Sequence, residues 1–221
     1  MTIGYNGLGN NGRLGNQMFQ YAALRGIAAH RGFNFVFPPP YDSVDNYGIH
    51  DCFKLTNVTE DNIDFHPSQQ YVQEGQFHFN EKLFNTCPDN INLYGFYQTM
   101  KYFAHIEEQI RQDFSFKDYI INPCLEMMES FDTRPIMLHV RRGDPNLADK
   151  RGFKWAYVNL QDQHPVQTLE YYEEALSHFP EDTPVIVFSD SIEWCKEQEF
   201  FASDRFFLSE STDKHEDGAL V

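Results

Sequence analysis

The sequence predicts an α/β fold with parallel strands, laid out as two successive halves, and three observations carry that reading. A helical stretch from Asn16 to Arg31 runs into Gly32-Phe33-Asn34-Phe35-Val36-Phe37, a strand stopped by Pro38, Pro39 and Pro40. Two apolar runs, Pro135-Ile136-Met137-Leu138 and Pro184-Val185-Ile186-Val187-Phe188, flank a helical stretch, Thr168 to Phe179, with Leu169, Tyr172, Leu176 and Phe179 at helical spacing. Strand, helix, strand with wholly apolar strands is the pattern of a parallel βαβ unit, whose sheet is covered on both faces. The third observation is Gly12-Arg13-Leu14-Gly15-Asn16-Gln17, which reads as a glycine-rich turn opening a helix.

In chain order, the first half, residues 1–133, is anchored by that turn. Gly12 and Gly15 tolerate positive φ, and Ala22, Ala23 and Leu24 continue as good helix formers. A helix start leaves backbone N–H groups unpaired and suits anionic or polar ligands, with Arg13 and Asn16 as added side-chain donors. The plain alternative is a tight loop that only turns the chain. Residues 41–90 lack a clear period and read as a long loop-rich segment. Its aromatics, among them Tyr41, Tyr47, Phe65, Phe77, His78 and Phe79, are expected to cover the core rather than stack on a sugar. Asn92 to Tyr97 returns as a strand, Lys101 to Asp113 follows as an amphipathic helix, and the half closes near Thr133.

The second half, residues 134–221, opens with the strand at Ile136, which leads into His139-Val140-Arg141-Arg142-Gly143-Asp144. Adjacent arginines at the carboxyl end of a strand suit an α/β crevice, where permanently charged planar guanidinium groups grip a diphosphate through paired hydrogen bonds. Their alternative is pairing with surface carboxylates, with His139 and Asp144 bracing the loop. Pro145 to Gln163 reads as a surface loop. After the second strand, Ser189 and Asp190 lie at the crevice edge, where Asp190 meets a ligand, caps the helix that starts near Ile192, or does both.

Composition narrows the function classes. There are 17 Lys and Arg against 33 Asp and Glu, a formal charge of −16, so most of the surface repels a polyanion and nucleic-acid binding is not expected. A small anion needs only a local positive site, which Arg13, Arg141 and Arg142 supply. Cys52, Cys87, Cys124 and Cys195 are widely spaced with no Cys-x-x-Cys pair, the usage of a reducing compartment. Neither a leader nor a run approaching ~20 apolar residues is visible, so the chain is expected to be cytoplasmic, either free or peripheral at a membrane, with no transmembrane segment.

Together, Gly12-Arg13-Leu14-Gly15-Asn16-Gln17 and His139-Val140-Arg141-Arg142-Gly143-Asp144 resemble the motifs of the α1,2-fucosyltransferases, glycosyltransferase family 11. Leu93-Tyr94-Gly95-Phe96-Tyr97-Gln98-Thr99-Met100-Lys101-Tyr102-Phe103 is similar to the family's stretch before its central helix. Val187-Phe188-Ser189-Asp190 and then Glu193-Trp194-Cys195 are similar to its later motifs. Such chains usually continue past the equivalent of His215-Glu216-Asp217, whereas this sequence stops at Val221. It is thus either a shortened version or a piece of a longer product.

The resemblance implies a GT-B-like architecture: two Rossmann-like domains facing a cleft, the first on the acceptor side and the second, incomplete, holding the donor. It implies transfer of L-fucose from GDP-fucose to the 2-hydroxyl of a terminal galactose on a glycan acceptor, with inversion. No metal cofactor is expected: the sequence contains no Asp-x-Asp, so guanidinium groups would neutralise the leaving diphosphate. Arg141 would grip the β-phosphate and Arg142 brace the loop or add a contact. Arg13, Gly15, Asn16 and Gln17 would line the other wall, with Ser189 and Asp190 on the nucleotide side. His139 and Asp144 would orient the arginine loop, and either could take the acceptor proton. The rival reading is a non-catalytic nucleotide-sugar or glycan-binding module of the same family.

Overall fold

The computed structural model describes residues 1–8, 12–37, 48–55, 72–73, 78–142 and 165–209. The chain divides into two compact units, Met1–Lys117 and Asp118–Val221. The division falls before the boundary expected at Thr133, because helix Asp118–Glu129 packs with the second unit: Cys124 and Met128 meet Ile186, Phe188 and Met137. Both units are α/β with wholly parallel sheets, as the sequence predicts. No helix among the described residues is long and apolar enough to cross a membrane.

In the first unit β1 (Thr2–Gly4), β2 (Asn34–Val36), β3 (Val72–Gln73) and β4 (Ile91–Tyr94) form a sheet in the order β2-β1-β4-β3. Helix α1 (Leu14–Arg31) buries Tyr21, Ala22, Ala23, Leu24 and Ile27, and ends at Gly32, whose φ of +67° lets the Gly32 and Phe33 N–H groups close on Ala29 and Ala28. Gly32 is therefore the cap of α1 rather than the start of the strand, which begins at Asn34. Buried Asp113 pairs with Arg25 and accepts from the Tyr21 hydroxyl at 2.7 Å. Burial pushes the Tyr21 phenol well above its usual range, and Arg25 offsets this only in part.

Two expectations for this unit need correction. The stretch read as one helix from Lys101 is two 3-10 turns, Met100–Tyr102 and Ala104–Ile106, followed by α4 (Glu107–Asp113). The reason is tertiary: the chain at Tyr102 and Phe103 runs against Gly26 of α1, where a Cβ would meet the Tyr102 carbonyl at 2.1 Å. The segment read as loop also holds two short helices, α2 (Ile49–Cys52) and α3 (Glu81–Thr86), the latter capped by Asn80 accepting from Leu83 N–H at 2.9 Å. Of its aromatics, Phe79 packs on Phe84 and Tyr102, whereas Tyr41, Tyr47, Phe65 and Phe77 lie outside the described residues.

The second unit begins with α5 (Asp118–Glu129), which carries Pro123 and was not foreseen. Strands β5 (Ile136–Val140), β6 (Val185–Ser189) and β7 (Phe206–Leu208) form a parallel sheet in that order, with Val140 opposite Ser189. Alternation along β5 and β6 feeds two cores. Val140, Val185 and Val187 pack with Tyr172 and Leu176 of α6 (Leu169–Leu176) and with Cys195 of α7 (Ile192–Lys196), while Ile186 and Phe188 face α5. The sheet is thus covered on both faces, and the carboxyl ends of β5 and β6 lie side by side.

Candidate functional site

At those paired carboxyl ends the two arginines part company. Arg142 is half-buried: its backbone N–H donates to Asp190 Oδ1 at 2.8 Å, and its guanidinium carbon sits 3.7 Å from the centre of the Trp194 ring. Arg141 is exposed, and no described side chain pairs with it. Successive residues leaving a strand aim their side chains to opposite sides, so locking one arginine fixes the backbone that presents the other. His139 is exposed and opposite Phe188 in the ladder, on the sheet face away from Val140. Gly143 and Asp144 lie outside the described residues, as do Pro145 to Gln163.

Ser189 and Asp190, expected on the nucleotide side, also hold the chain locally. The Ser189 hydroxyl donates to the Val140 carbonyl at 2.8 Å and accepts from Ser191 N–H at 2.9 Å, tying the end of β5 to the start of α7. Asp190 does not cap α7; the cap position is Ser191, which makes no side-chain cap bond, and the Asp190 carboxylate serves the arginine turn. Beneath them, burial raises the Tyr172 phenol and the Cys195 thiol, with Arg142 pulling both the other way, so both stay neutral under the guanidinium. Trp194 was quoted in a motif without a role; its position four residues after Asp190, one helical turn on, is the signal that could have paired it with the arginine loop.

In the first unit the carboxyl end of β1 lies beside the start of β4, with Ile3 and Gly4 opposite Ile91 and Asn92. β1 is followed by β2 on one side and bordered by β4 on the other, so this is where the strand order reverses, the usual ligand crevice of an open α/β sheet. The turn after β4 is strained: Gly95 has φ +147° and Tyr97 φ +54°, rare for a bulky side chain. It is held by the Tyr5 hydroxyl, which bonds Gly95 O and accepts from Gly95 N–H, and by Gln20 Nε2, which donates to Gly95 O at 3.1 Å. The turn delivers Gln98 to Asn16, with Nε2 2.6 Å from Asn16 Oδ1.

The glycine-rich turn divides the same way. Gly12 has φ +85°, and a Cβ there would meet the Asn16 side chain at 2.3–2.7 Å. Gly15, read as tolerating positive φ, is instead an ordinary helical residue of α1, with open space where its Cβ would be. Arg13 is exposed at the helix start with no side-chain cap bond. Gln17, expected to line a ligand wall, is fully buried, and its Oε1 accepts from Ile49 N–H at 3.3 Å; its polar group holds α2.

A model of glycosyl transferase family 11 matches residues 2–220. The chain belongs to glycosyl transferase family 11. Among curated proteins, it is 27% identical over 219 residues to an alpha-1,2-colitosyltransferase of Escherichia coli, covering 84% of this chain and 68% of that one. It is 28% identical over 205 residues to human galactoside alpha-(1,2)-fucosyltransferase 1, covering 85% of this chain. The family 11 chain spans 51% of the human protein's length. The fold is shared with the NodZ alpha-1,6-fucosyltransferase, whose crystal was soaked with GDP-fucose, at a TM-score of 0.57 and 12% identity, covering 99% of this chain and 80% of that one.

Proposed function

We propose that this family 11 chain transfers L-fucose from GDP-fucose to the 2-hydroxyl of a terminal galactose, with inversion and without a metal ion. The observation that carries the reading is the split between the arginines: Arg142 is held by Asp190 and Trp194, while the Arg141 guanidinium is exposed with no described partner. A fixed backbone with one free planar cation is a preorganised receptor for the β-phosphate, whose charge grows as the sugar departs. Names of relatives support the reaction class: one is a galactoside alpha-(1,2)-fucosyltransferase and another an alpha-1,2-colitosyltransferase.

In this reading the acceptor oxygen bonds the anomeric carbon as the bond from that carbon to the GDP oxygen breaks. The acceptor proton passes to His139 or Asp144, and GDP leaves with its new charge on Arg141. The donor sits on the second unit, at the carboxyl ends of β5 and β6. The test is calorimetric titration with GDP, then transfer from GDP-fucose to a galactose-terminated acceptor with and without EDTA. Arg141→Ala should weaken GDP binding roughly ten- to hundredfold, the range of hydrogen bonds to charged groups. Unchanged GDP affinity in that variant would refute the clamp, EDTA-sensitive transfer would refute the metal-free mechanism, and preference for a colitosyl donor would change the sugar assigned.

A further inference from the structure

Beside the Asn16–Gln98 contact the first unit carries a concavity of about 440 Å³ lined by His78, Phe79, Glu81, Gln98, Thr99 and Lys101. Its volume is within the ~300–1,000 Å³ usual for small-molecule sites. Two segments build it: the start of α3, with His78, Phe79 and Glu81, and the stretch after β4, with Gln98, Thr99 and Lys101. The second segment follows the carboxyl end of β4, and the Asn80 N–H at the start of α3 donates to the Tyr102 hydroxyl at 2.8 Å, which ties the two together.

The chemistry of the lining selects among ligands. Glu81 and Lys101 are of opposite charge, so the concavity holds no excess of cations for a diphosphate. Its polar groups are instead of mixed donor and acceptor character: a carboxylate, a carboxamide, an ammonium, an imidazole and a hydroxyl. They surround one half-buried aromatic, Phe79, which Tyr102 and Phe84 back at ring separations of 4.9 and 5.5 Å. A rigid apolar ring among alternating donors and acceptors matches a neutral polyhydroxyl ligand, which offers C–H patches and hydroxyls that both give and take hydrogen bonds. Gln98 is the best-placed contact. Its amide nitrogen is engaged by Asn16 Oδ1, which leaves its carbonyl oxygen to accept, and the turn that presents it holds Tyr97 at φ +54°. Strain of this kind persists only where surrounding contacts impose it, as the Tyr5 and Gln20 bonds to Gly95 do here.

We infer that this concavity is a saccharide subsite for the acceptor, in which Gln98 and Glu81 bind hydroxyls of the terminal galactose or its neighbour and Phe79 supplies the apolar floor. The inference rests on the proposed galactoside acceptor, and it names residues that the family motifs leave without a task.

The experiment is titration of the whole chain with lactose in the presence of saturating GDP, compared with Gln98→Ala and Glu81→Gln. Both side chains are exposed, so the variants should keep the urea midpoint of the parent chain. Phe79 is left intact because its packing on Tyr102 would confound the result. The expected result is lactose affinity reduced about tenfold or more in each variant, the loss of one buried hydrogen bond to a sugar, with GDP affinity unchanged. Lactose binding that survives both substitutions overturns the subsite and leaves the galactoside reading standing. Loss of GDP affinity instead assigns the concavity to the donor and overturns it too. Failure of the unsubstituted chain to bind lactose while it binds GDP removes the galactoside acceptor and the subsite with it.

Discussion

The guanidinium of Arg142 lies 3.7 Å from the centre of the Trp194 ring, so the second arginine of the pair is seated on the protein before any ligand arrives. Cation–π contacts of this kind contribute about 0.5–2 kcal/mol. Trp194→Ala should therefore weaken GDP binding by roughly two- to thirtyfold through a loosened turn, and Trp194→Phe should restore most of it. Calorimetry on the two variants checks this; an alanine variant with the parent affinity would show that the stack does not position Arg141.

Asp190 holds the same turn from the other side, through the Arg142 N–H at 2.8 Å. Asp190→Ala leaves that donor without its partner and should lower stability by about 1–3 kcal/mol, whereas Asp190→Asn keeps an acceptor oxygen and should lose less. Urea denaturation distinguishes them. Equal losses would mean that the carboxylate's charge, rather than its hydrogen bond, is what the turn uses.

The two glycines of the helix-opening turn should respond oppositely. Gly12→Ala forces a side chain into a left-handed backbone and into Asn16, and should destabilise by about 1–3 kcal/mol. Gly15→Ala adds a methyl group to open space on an α-helix and should be neutral or stabilising by up to ~1 kcal/mol. Thermal melts of the pair settle the point, and a GDP titration of Gly15→Ala shows whether that open space is needed by the donor.

All four cysteines are free and buried. Burial pushes the Cys87 thiol up to about 11, with the Arg31 charge opposing, and also raises Cys195. The folded chain should thus show no fast reaction with a thiol reagent at pH 8, and all four thiols should react once it is unfolded in guanidinium. The sign of the linkage follows from the raised value: Cys87 stabilises the fold fully below the unfolded thiol's value of 9.0, and that contribution is lost as pH climbs toward about 11. Denaturation midpoints measured from pH 8 to 11 should fall in the parent and fall less in Cys87→Ala.

Much of the architecture was legible because it depends on local pattern. The wholly apolar runs around Ile136 and Val185 became neighbouring parallel strands, and Leu169–Leu176 became a helix capped by Thr168, which accepts from Tyr171 N–H. Helix α5 was not legible, because Pro123 within it argues against a helix until Cys124 and Met128 are seen packed on the sheet. The interruption at Phe103 was equally invisible, since it comes from the close approach of Gly26, some 77 positions earlier in the chain (103 − 26).

What the sequence by itself determined is the family, the parallel α/β class and the two motif segments, because residue type and short-range spacing encode turn chemistry, strand burial and the presence of paired cations. Only the tertiary structure decided which member of each motif is taken up in holding the fold. Arg141 and Arg142 are chemically identical in sequence, as Asn16 and Gln17 are nearly so. Arg142 is claimed by Asp190, just after β6, and by Trp194 of α7, and Gln17 by the backbone of Ile49, so what remains exposed depends on contacts between segments whose separation no local pattern records.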